Sequence, residues 1–546
     1  MTGSRGVHEK DSAAGRWGIW GVLALVFIVC GLYLPSLSSG FLYDDQVLIV
    51  DAPARASALE LFSIFREPHH TANLPYYRPI PRFSMAAQKF AYGNDPLPFH
   101  AFNVALIGAV ALAALALLRS RGFRSQPVPA LLGAALIALH PATSSAVYAI
   151  TGRETLLLAM FSMAAVAAFL RSGRGWYAAA LLLLAGALLS KEQAVMIPAV
   201  FVWADLLKLS NDPPGTDPRR WVRRYLPVGA LVLLYLACRS QILTGPSPRL
   251  ALWEAPAGPL FSALHVLQTL FVPFVELVYE PSGPEVWWSG WRLAGVVLAT
   301  ASLTVVAVRK WGEVAGPVLF GLGWCVLMNL PIANVFVQEA KFAERYALMA
   351  LPGLVGIALA LLSDPRRRAG ARPSVLAGSL AWIVSLGVIS VGRAETFSTE
   401  RVFLDQWVST SPRSAQAQAA LGQHWLRIER FERAIEPYRR AKELLPEVAE
   451  RHFALGNALR LAGRSDEALE EYQHALRIDP DHLGAQLNLG RILRRDGRLN
   501  EAASLYESWL ERNPDDEQAQ RRLNQVRMEQ RRTKRSQKGR DRRATP

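Results

Sequence analysis

A chain of 546 residues is too long for one simple domain. At 51% hydrophobic, 19% charged and mean hydropathy +0.16, it is too apolar for a soluble protein of that length and fits one half embedded in a membrane. Its three cysteines, Cys30, Cys238 and Cys325, all lie in apolar runs and give neither a disulfide framework nor a metal spacing. The net charge of +15 is uneven: residues 531–543 hold eight Lys and Arg against one acid, Asp541. That tail, 531–546, reads as a solvated, disordered terminus, and no nucleic-acid partner is expected of it.

Residues 17–38 follow a basic head (Arg5, Lys10, Arg16). The apolar stretch is longer than a signal-peptide core and lacks an A-x-A site, so it reads as a retained span. Crossing hydrocarbon takes roughly 20 apolar residues. Runs of that kind occur near 17–38, 98–118, 128–149, 154–170, 176–190, 193–209, 225–242, 290–308, 314–333, 346–363 and 374–391, which predicts about eleven spans. The basic loops 119–124, 171–174, 208–224, 309–310 and 366–372 all fall on one side when eleven spans are threaded from a cytoplasmic N-terminus. The other loops, and everything after about 392, are then placed outside the cytoplasm.

The outer loops differ in kind. The first, 39–97, carries Phe41-Leu-Tyr-Asp44-Asp45, His69-His70 and Tyr76-Tyr77-Arg78-Pro79. The later turns bring His140-Pro141, Arg153-Glu154, Lys191-Glu192 and Glu344-Arg345-Tyr346. Ionisable groups of both signs at the outer ends of spans are costly unless they pair or line a polar cavity, and within a membrane they are a functional hypothesis by default.

From 415 the chain repeats every 34 residues. Leu421-Gly422, Leu455-Gly456 and Leu489-Gly490 keep that step, as do Ala434, Ala468 and Ala502, then Tyr438, Tyr472 and Tyr506, then Pro446, Pro480 and Pro514. This is the tetratricopeptide pattern, in which small residues let two helices cross and an aromatic fills the groove between them. It predicts an α-solenoid over 415–530: repeats 415–448, 449–482 and 483–516, then a capping helix 517–530, with 393–414 as a linker. Its concave face is the expected surface for a protein or peptide. The fold is thus all-α, a helical membrane domain over 1–392 followed by the solenoid.

No Gly-rich nucleotide loop, HExxH, CxxC or GxSxG occurs. A site at the outer face is cut off from cytoplasmic nucleotide sugars and must draw on a donor carried in the lipid. A polyprenyl-phosphate sugar already has its leaving group. The chemistry then needs a carboxylate to take the acceptor's proton and cations to hold the phosphate. Asp44 or Asp45 fits the first role; Arg78, Arg153, Lys191 and Arg345 are candidates for the second.

The series Phe41-Leu-Tyr-Asp-Asp, Tyr77-Arg-Pro, His100-Ala-Phe-Asn103, His140-Pro-Ala-Thr, Gly152-Arg-Glu, Lys191-Glu-Gln and Glu344-Arg-Tyr, followed by the repeats, resembles the transmembrane-and-tetratricopeptide-repeat O-mannosyltransferase family. That family is of the GT-C class of membrane glycosyltransferases. The resemblance implies an inverting enzyme that transfers mannose from a lipid-phosphate donor to Ser/Thr hydroxyls of proteins. It puts the catalytic carboxylates at Asp44 and Asp45, and donor-binding residues at Arg78, Arg153, Glu154, Glu344, Arg345 and Tyr346. With only three clear repeats and an Ala- and Arg-rich character, the chain looks like a bacterial relative. The resemblance then implies an undecaprenyl-phosphate sugar, an inner-membrane location and a periplasmic site.

Each residue also has a plainer role open to it. Asp44-Asp45 can cap an interfacial helix, His140 can cap the end of a span, and Arg153-Glu154 can be a structural pair. Lys191-Glu192 and Glu344-Arg345 can be turn polarity. Of the two acids, Asp45, further from the span, is favoured to reach the acceptor. His69-His70 is half a metal site with no carboxylate spaced to complete it, so no metal site is expected and dependence on a divalent ion stays open. No cofactor is implied beyond the lipid-linked sugar. Two other functions fit the pattern less fully: a transferase acting on a glycolipid or polysaccharide, and a non-enzymatic membrane anchor whose repeats recruit partners.

Overall fold

The computed structural model describes residues 5–67, 76–243, 269–270, 314–332, 344–362 and 373–544. Those residues are helical and divide into two compact units, 1–406 and 407–546.

In the first unit the helices are α1 (Arg5–Leu32), α2 (Pro79–Tyr92), α3 (Pro96–Arg119), α4 (Pro127–Leu139), α5 (Pro141–Tyr148), α6 (Arg153–Phe169), α7 (Arg174–Leu188), α8 (Ile197–Leu206), α9 (Pro218–Ile242), α10 (Ala315–Asn329), α11 (Leu351–Leu362) and α12 (Pro373–Gly392); α13 (Glu400–Thr410) includes the division at 406. Six of these begin on proline, whose fixed φ and missing N–H suit the first helical position. Asp95 and Asp217 precede two of those prolines and accept from the N–H groups of Leu97 (3.1 Å) and Arg219 (2.9 Å), satisfying donors that the first turn leaves orphaned. The core of the unit is α3, α6 and α7, with α1 and α4 against α3.

The expectation of eleven spans is not met. Among the described residues four helices are long and apolar enough to cross a membrane: Gly18–Ser38, Pro96–Arg119, Ile150–Phe169 and Pro218–Ile242. The pair α4 and α5, bent by 55°, makes a fifth if it counts as one broken span. Expected spans at 176–190, 193–209, 314–333 and 346–363 form helices of 15, 10, 15 and 12 residues. Fifteen residues reach only about 22 Å at the α-helical rise, short of a hydrocarbon core of about 30 Å. An apolar run is not the same length as the helix inside it. The turns Glu192–Met196, Leu330–Ile332 and Glu344–Met349 carry 3-10 geometry and divide these runs. The span expected at 374–391 corresponds to α12, a helix of 20 residues. The one at 290–308 lies outside the described residues, as do the loops 309–310 and 366–372.

Large apolar side chains stand exposed on the long helices, among them Phe27, Leu182, Leu226, Leu233 and Leu234. An exposed apolar surface of that extent is compatible with lipid contact.

The described part of the loop 39–97 is folded. It contains the turn Tyr43–Asp45, a π turn Gln46–Val50, the helix Ala58–Ser63 and α2. Lys89 on α2 donates to the carbonyls of Ile49 (2.7 Å), Val50 (2.9 Å) and Ala52 (2.6 Å), which ties the end of the π turn to α2. Residues 393–414, expected as a linker, include α13: Phe403, Leu404 and Trp407 recur at helical spacing and are buried.

The second unit is the solenoid, with helix pairs α14 (Ala415–Arg427) and α15 (Phe431–Leu444), α16 (Ala449–Leu461) and α17 (Ser465–Ile478), and α18 (Leu483–Arg495) and α19 (Leu499–Arg512), then α20 (Glu517–Ala544). The repeated Ala and Tyr columns form one continuous core. A Cβ on Gly456 would stand 2.7 Å from the Tyr472 ring, and one on Gly422 2.8 Å from that of Tyr438. Gly456→Ala is therefore expected to cost about 1–3 kcal/mol through overpacking, read as a lower midpoint for loss of helical signal on heating.

Where a solvated, disordered tail was expected, α20 continues through Ala544. From 517 to 538 the sequence has no Gly or Pro and is rich in Arg, Gln, Glu and Lys, all good helix formers. Arg521 pairs with Glu517 one turn back, and Glu529 pairs with Arg494 of α18. High charge raises solubility without removing helix propensity.

Candidate active site

The turn Tyr43–Asp45 sits below the loop between α5 and α6. Asp45 is fully buried. Its Oδ2 accepts from the N–H of Leu42 (3.0 Å) and Ile150 (3.4 Å), and its Oδ1 from that of Thr151 (2.8 Å). The carboxylate is thus spent on stitching the 39–97 loop to the start of α6, the capping role. Burial raises the Asp45 pKa to about 6, against the opposing pull of the backbone donors.

The sign of the linkage follows. A carboxyl raised in the folded state contributes most stability below its unfolded value near 3.8 and loses it as pH rises through about 6. The thermal midpoint is expected to rise on acidification from pH 7 to 5, by an increment that Asp45→Asn lacks. Parallel pH series of melts on the two proteins check this.

Asp44 is only half-buried. It lies within electrostatic reach of the Tyr346 hydroxyl, together with Glu154, Arg78 and Arg345. The expectation that favoured Asp45 over its neighbour therefore meets the opposite geometry: Asp44 is the acid on the side of the charged cluster.

That cluster is built from four elements. Arg78 precedes α2, Glu154 opens α6, Lys191 and Glu192 follow α7, and Arg345-Tyr346 lie in the turn Glu344–Met349. Arg78 Nη1 donates to Glu154 Oε2 (2.5 Å) and its Nε to Glu192 Oε2 (2.8 Å). Lys191 Nζ donates to Glu154 Oε1 (2.8 Å) and to the Thr155 hydroxyl (2.9 Å). The Tyr77 N–H donates to Glu192 Oε1 (3.2 Å). Tyr76 lies under the Arg78 guanidinium at 4.2 Å, and Tyr346 lies under Lys191 at 5.2 Å and Arg345 at 5.9 Å. Two cations and two carboxylates balance within this network, which is what makes its burial tolerable. Opposing charges hold Arg78 protonated, with its pKa raised by Glu154 and Glu192 over the effect of burial.

Gly152 sets the approach. A Cβ there would meet the Ala146 backbone, with its Cα 2.6 Å away, so only glycine lets α5 pass this close to the start of α6.

Arg153 and His140 are placed elsewhere. Arg153 is fully buried. It donates from Nε to Asn103 Oδ1 (3.0 Å), from Nη1 to the Ser84 hydroxyl (2.9 Å) and from Nη2 to the Phe99 carbonyl (3.0 Å). It ties α2, α3 and α6 together and does not pair with Glu154. His140 Nδ1 accepts from the Ala142 N–H (3.1 Å), and its Nε2 lies 3.3 Å from the Leu270 carbonyl; it caps α5 at the bend before Pro141. Glu344 opens its turn, but its side chain lies outside the described residues, as do His69 and His70. Among the described residues no group of three His, Cys, Asp or Glu could hold a metal.

Ser84 and Thr155 escaped the sequence reading, while Tyr76 and Asn103 stood in its motifs without an assigned role. Asn103 is a polar residue inside an apolar span. Its amide donates to the carbonyls of Val147 (3.3 Å), Ala149 (3.2 Å) and Ile150 (3.4 Å), holding the loop that Asp45 holds from below.

Comparison with known proteins places two parts of this architecture. Tetratricopeptide-repeat family models match residues 401–449 and 459–526, so the second unit is a tetratricopeptide-repeat solenoid whose pattern reaches back into α13. Over a longer stretch, the chain is 26% identical across 488 residues to the human protein O-mannosyl-transferase TMTC1, covering 77% of this chain and 54% of that protein. It is 28% identical over 279 residues to the Drosophila melanogaster protein O-mannosyl-transferase Tmtc1, covering 46% of this chain and 31% of the relative. With the Caenorhabditis elegans protein O-mannosyl-transferase F38B6.6 it shares 27% over 216 residues, 38% of this chain and 30% of the relative. The chain thus spans about a third to a half of the length of the curated relatives it matches.

Proposed function

We propose that the chain is an integral-membrane, inverting glycosyltransferase of the GT-C type. It moves a mannose-like sugar from a polyprenyl-phosphate donor to Ser or Thr hydroxyls of a protein acceptor. The observation that carries the reading is the conjunction of a half-buried carboxylate, Asp44, with a buried Arg78–Glu154–Lys191–Glu192 network among apolar helices. Similarity to three proteins named protein O-mannosyl-transferases supports it.

In this reading Asp44 accepts the proton of the acceptor hydroxyl as its oxygen attacks the anomeric carbon. The bond from that carbon to the phosphate oxygen breaks, and its electron pair leaves on the phosphate. Arg78 commits Nε and Nη1 to carboxylates, which leaves Nη2, without a hydrogen bond among the described residues, for a phosphate oxygen. Arg345 lies over the Tyr346 ring in the same cluster, and its charge offsets the growing charge of the leaving group. Asp45, Asn103 and Arg153 hold the backbone that positions these groups. The solenoid holds the protein acceptor. In this reading the site lies on the periplasmic side of a bacterial inner membrane.

The test is transfer of labelled mannose from a polyprenyl-phosphate mannose to protein by membranes containing the chain. Labelled protein is expected; label that appears only in lipid or glycan moves the reading to the glycolipid alternative.

A further inference from the structure

A second polar cluster sits at the other end of α6. With the turn from Ile150 that precedes it, this helix makes a 20-residue stretch, Ile150–Phe169, long and apolar enough to cross a membrane. Glu154 and the candidate active site are at its N-terminal end. Phe169 at its C-terminal end stacks on Phe201 of α8 at 4.1 Å, and the Arg224 guanidinium of α9 covers the Phe169 ring at 4.3 Å.

There the Asp205 carboxylate, its side chain fully buried, accepts from Arg224 Nε (2.7 Å) and Nη2 (3.2 Å), from the Tyr225 hydroxyl (2.7 Å) and from the Ser210 hydroxyl. This knot fixes the first turns of α9 against the end of α8. Beside it opens a cavity of about 560 Å³ lined by Tyr177, Arg220, Arg223, Arg224 and the 211–214 loop.

The wall is cationic, with three arginines against Asp212. Arg224 is balanced by Asp205. Arg220 is 3.7 Å from Asp217 in an exposed pair of the kind that contributes little. Arg223 is exposed and has no ion pair among the described residues. Trp221, next to Arg220 in the chain, stacks on Tyr225 at 5.4 Å, and Trp176, next to Tyr177, lies under Arg171 at 4.1 Å. Aromatic rings beside arginines mark the level of lipid headgroups. Val222 and Leu226 on α9 and Leu182 on α7 are 61%, 66% and 75% exposed, apolar side chains on which acyl chains can lie.

We propose that this cavity binds the phosphate headgroup of an anionic membrane phospholipid, at the membrane face opposite the candidate active site. Arg220 and Arg223 provide the charge, Arg224 and Tyr177 line the floor, and the exposed apolar side chains of α7 and α9 receive the acyl chains. A basic pocket between spans is the expected form of such a site. It stands on the membrane reading of α6 and α9 and is independent of the transferase chemistry.

The test uses the full chain in neutral detergent, titrated with phosphatidylglycerol and followed by native mass spectrometry. Saturable binding of phosphatidylglycerol is expected, with no comparable binding of phosphatidylcholine. Arg220→Gln with Arg223→Gln removes two exposed cations and is expected to weaken the phosphatidylglycerol affinity about thirtyfold. Equal binding of the two lipids overturns the proposal, as does unchanged affinity in the double variant. Displacement of the lipid by millimolar inorganic phosphate overturns the lipid assignment, because it shows that the cavity takes the free ion.

Discussion

Asp44→Asn is expected to lower sugar transfer by about 10²- to 10⁴-fold, the usual range for a lost general base, while the protein still inserts and melts as before. The amide keeps the shape of the side chain but cannot take up a proton. Asp44 is half-buried and lies on the side of Tyr346, Glu154 and Arg78, so its removal leaves the backbone hydrogen bonds of the turn intact. Asp45→Asn has a different expected outcome. It puts an NH₂ where a buried oxygen accepts from backbone N–H groups, and a stranded buried donor costs roughly 1–3 kcal/mol. Its signature is a lower melting point and less extractable protein. Assay of transfer per folded molecule separates the two. A fully active Asp44→Asn protein sinks the assignment, and an Asp45→Asn protein that is well folded but inactive moves the base to Asp45.

The second large effect lies in the buried network. Glu154 bonds both Arg78 and Lys191, so Glu154→Gln leaves two cations facing the one remaining carboxylate, Glu192. Breaking a buried pair in this way costs about 3–5 kcal/mol. Adding Lys191→Met restores balance, one cation to one carboxylate, at a residue only 4% exposed whose alkyl chain already fills the space. The double variant is therefore expected to recover much of the lost melting temperature, and a double-mutant cycle measures the coupling. Simple additivity of the two losses contradicts a network that is balanced as a unit. Recovery of stability without recovery of transfer is the expected pattern, since the site would be rebuilt without its charges.

How much of this was legible beforehand differs by region. The solenoid was legible because its information is local and repeated. Gly456 and Tyr472, 16 residues apart, meet within one repeat, and the same pair recurs at each 34-residue step. The membrane unit was legible in kind but not in count. Hydropathy reports apolar runs, whereas crossing depends on unbroken helix, and the run at 193–209 contains only a ten-residue helix after a 3-10 turn. The tail differs for a related reason: its charge suggests disorder, while its residues are good helix formers and α20 runs into it.

The site residues themselves were visible as unusual charges beside apolar segments, and Arg78, Glu154, Lys191 and Glu192 do come together. What no spacing along the chain carried is the division of labour inside adjacent pairs. Asp44 and Asp45, or Arg153 and Glu154, are neighbours in sequence and of similar chemistry. On a helical turn successive side chains point about 100° apart, so one of each pair faces the cluster and the other the interior. The sequence by itself determined that charged groups would gather near the membrane and that a repeat solenoid would follow. Only the tertiary structure decided that Asp45 and Arg153 are consumed in holding the backbone while Asp44 and Glu154 face the cluster. The backbone N–H groups of Ile150 and Thr151 that Asp45 needs, and the Phe99 carbonyl that Arg153 needs, become neighbours only once the chain has folded.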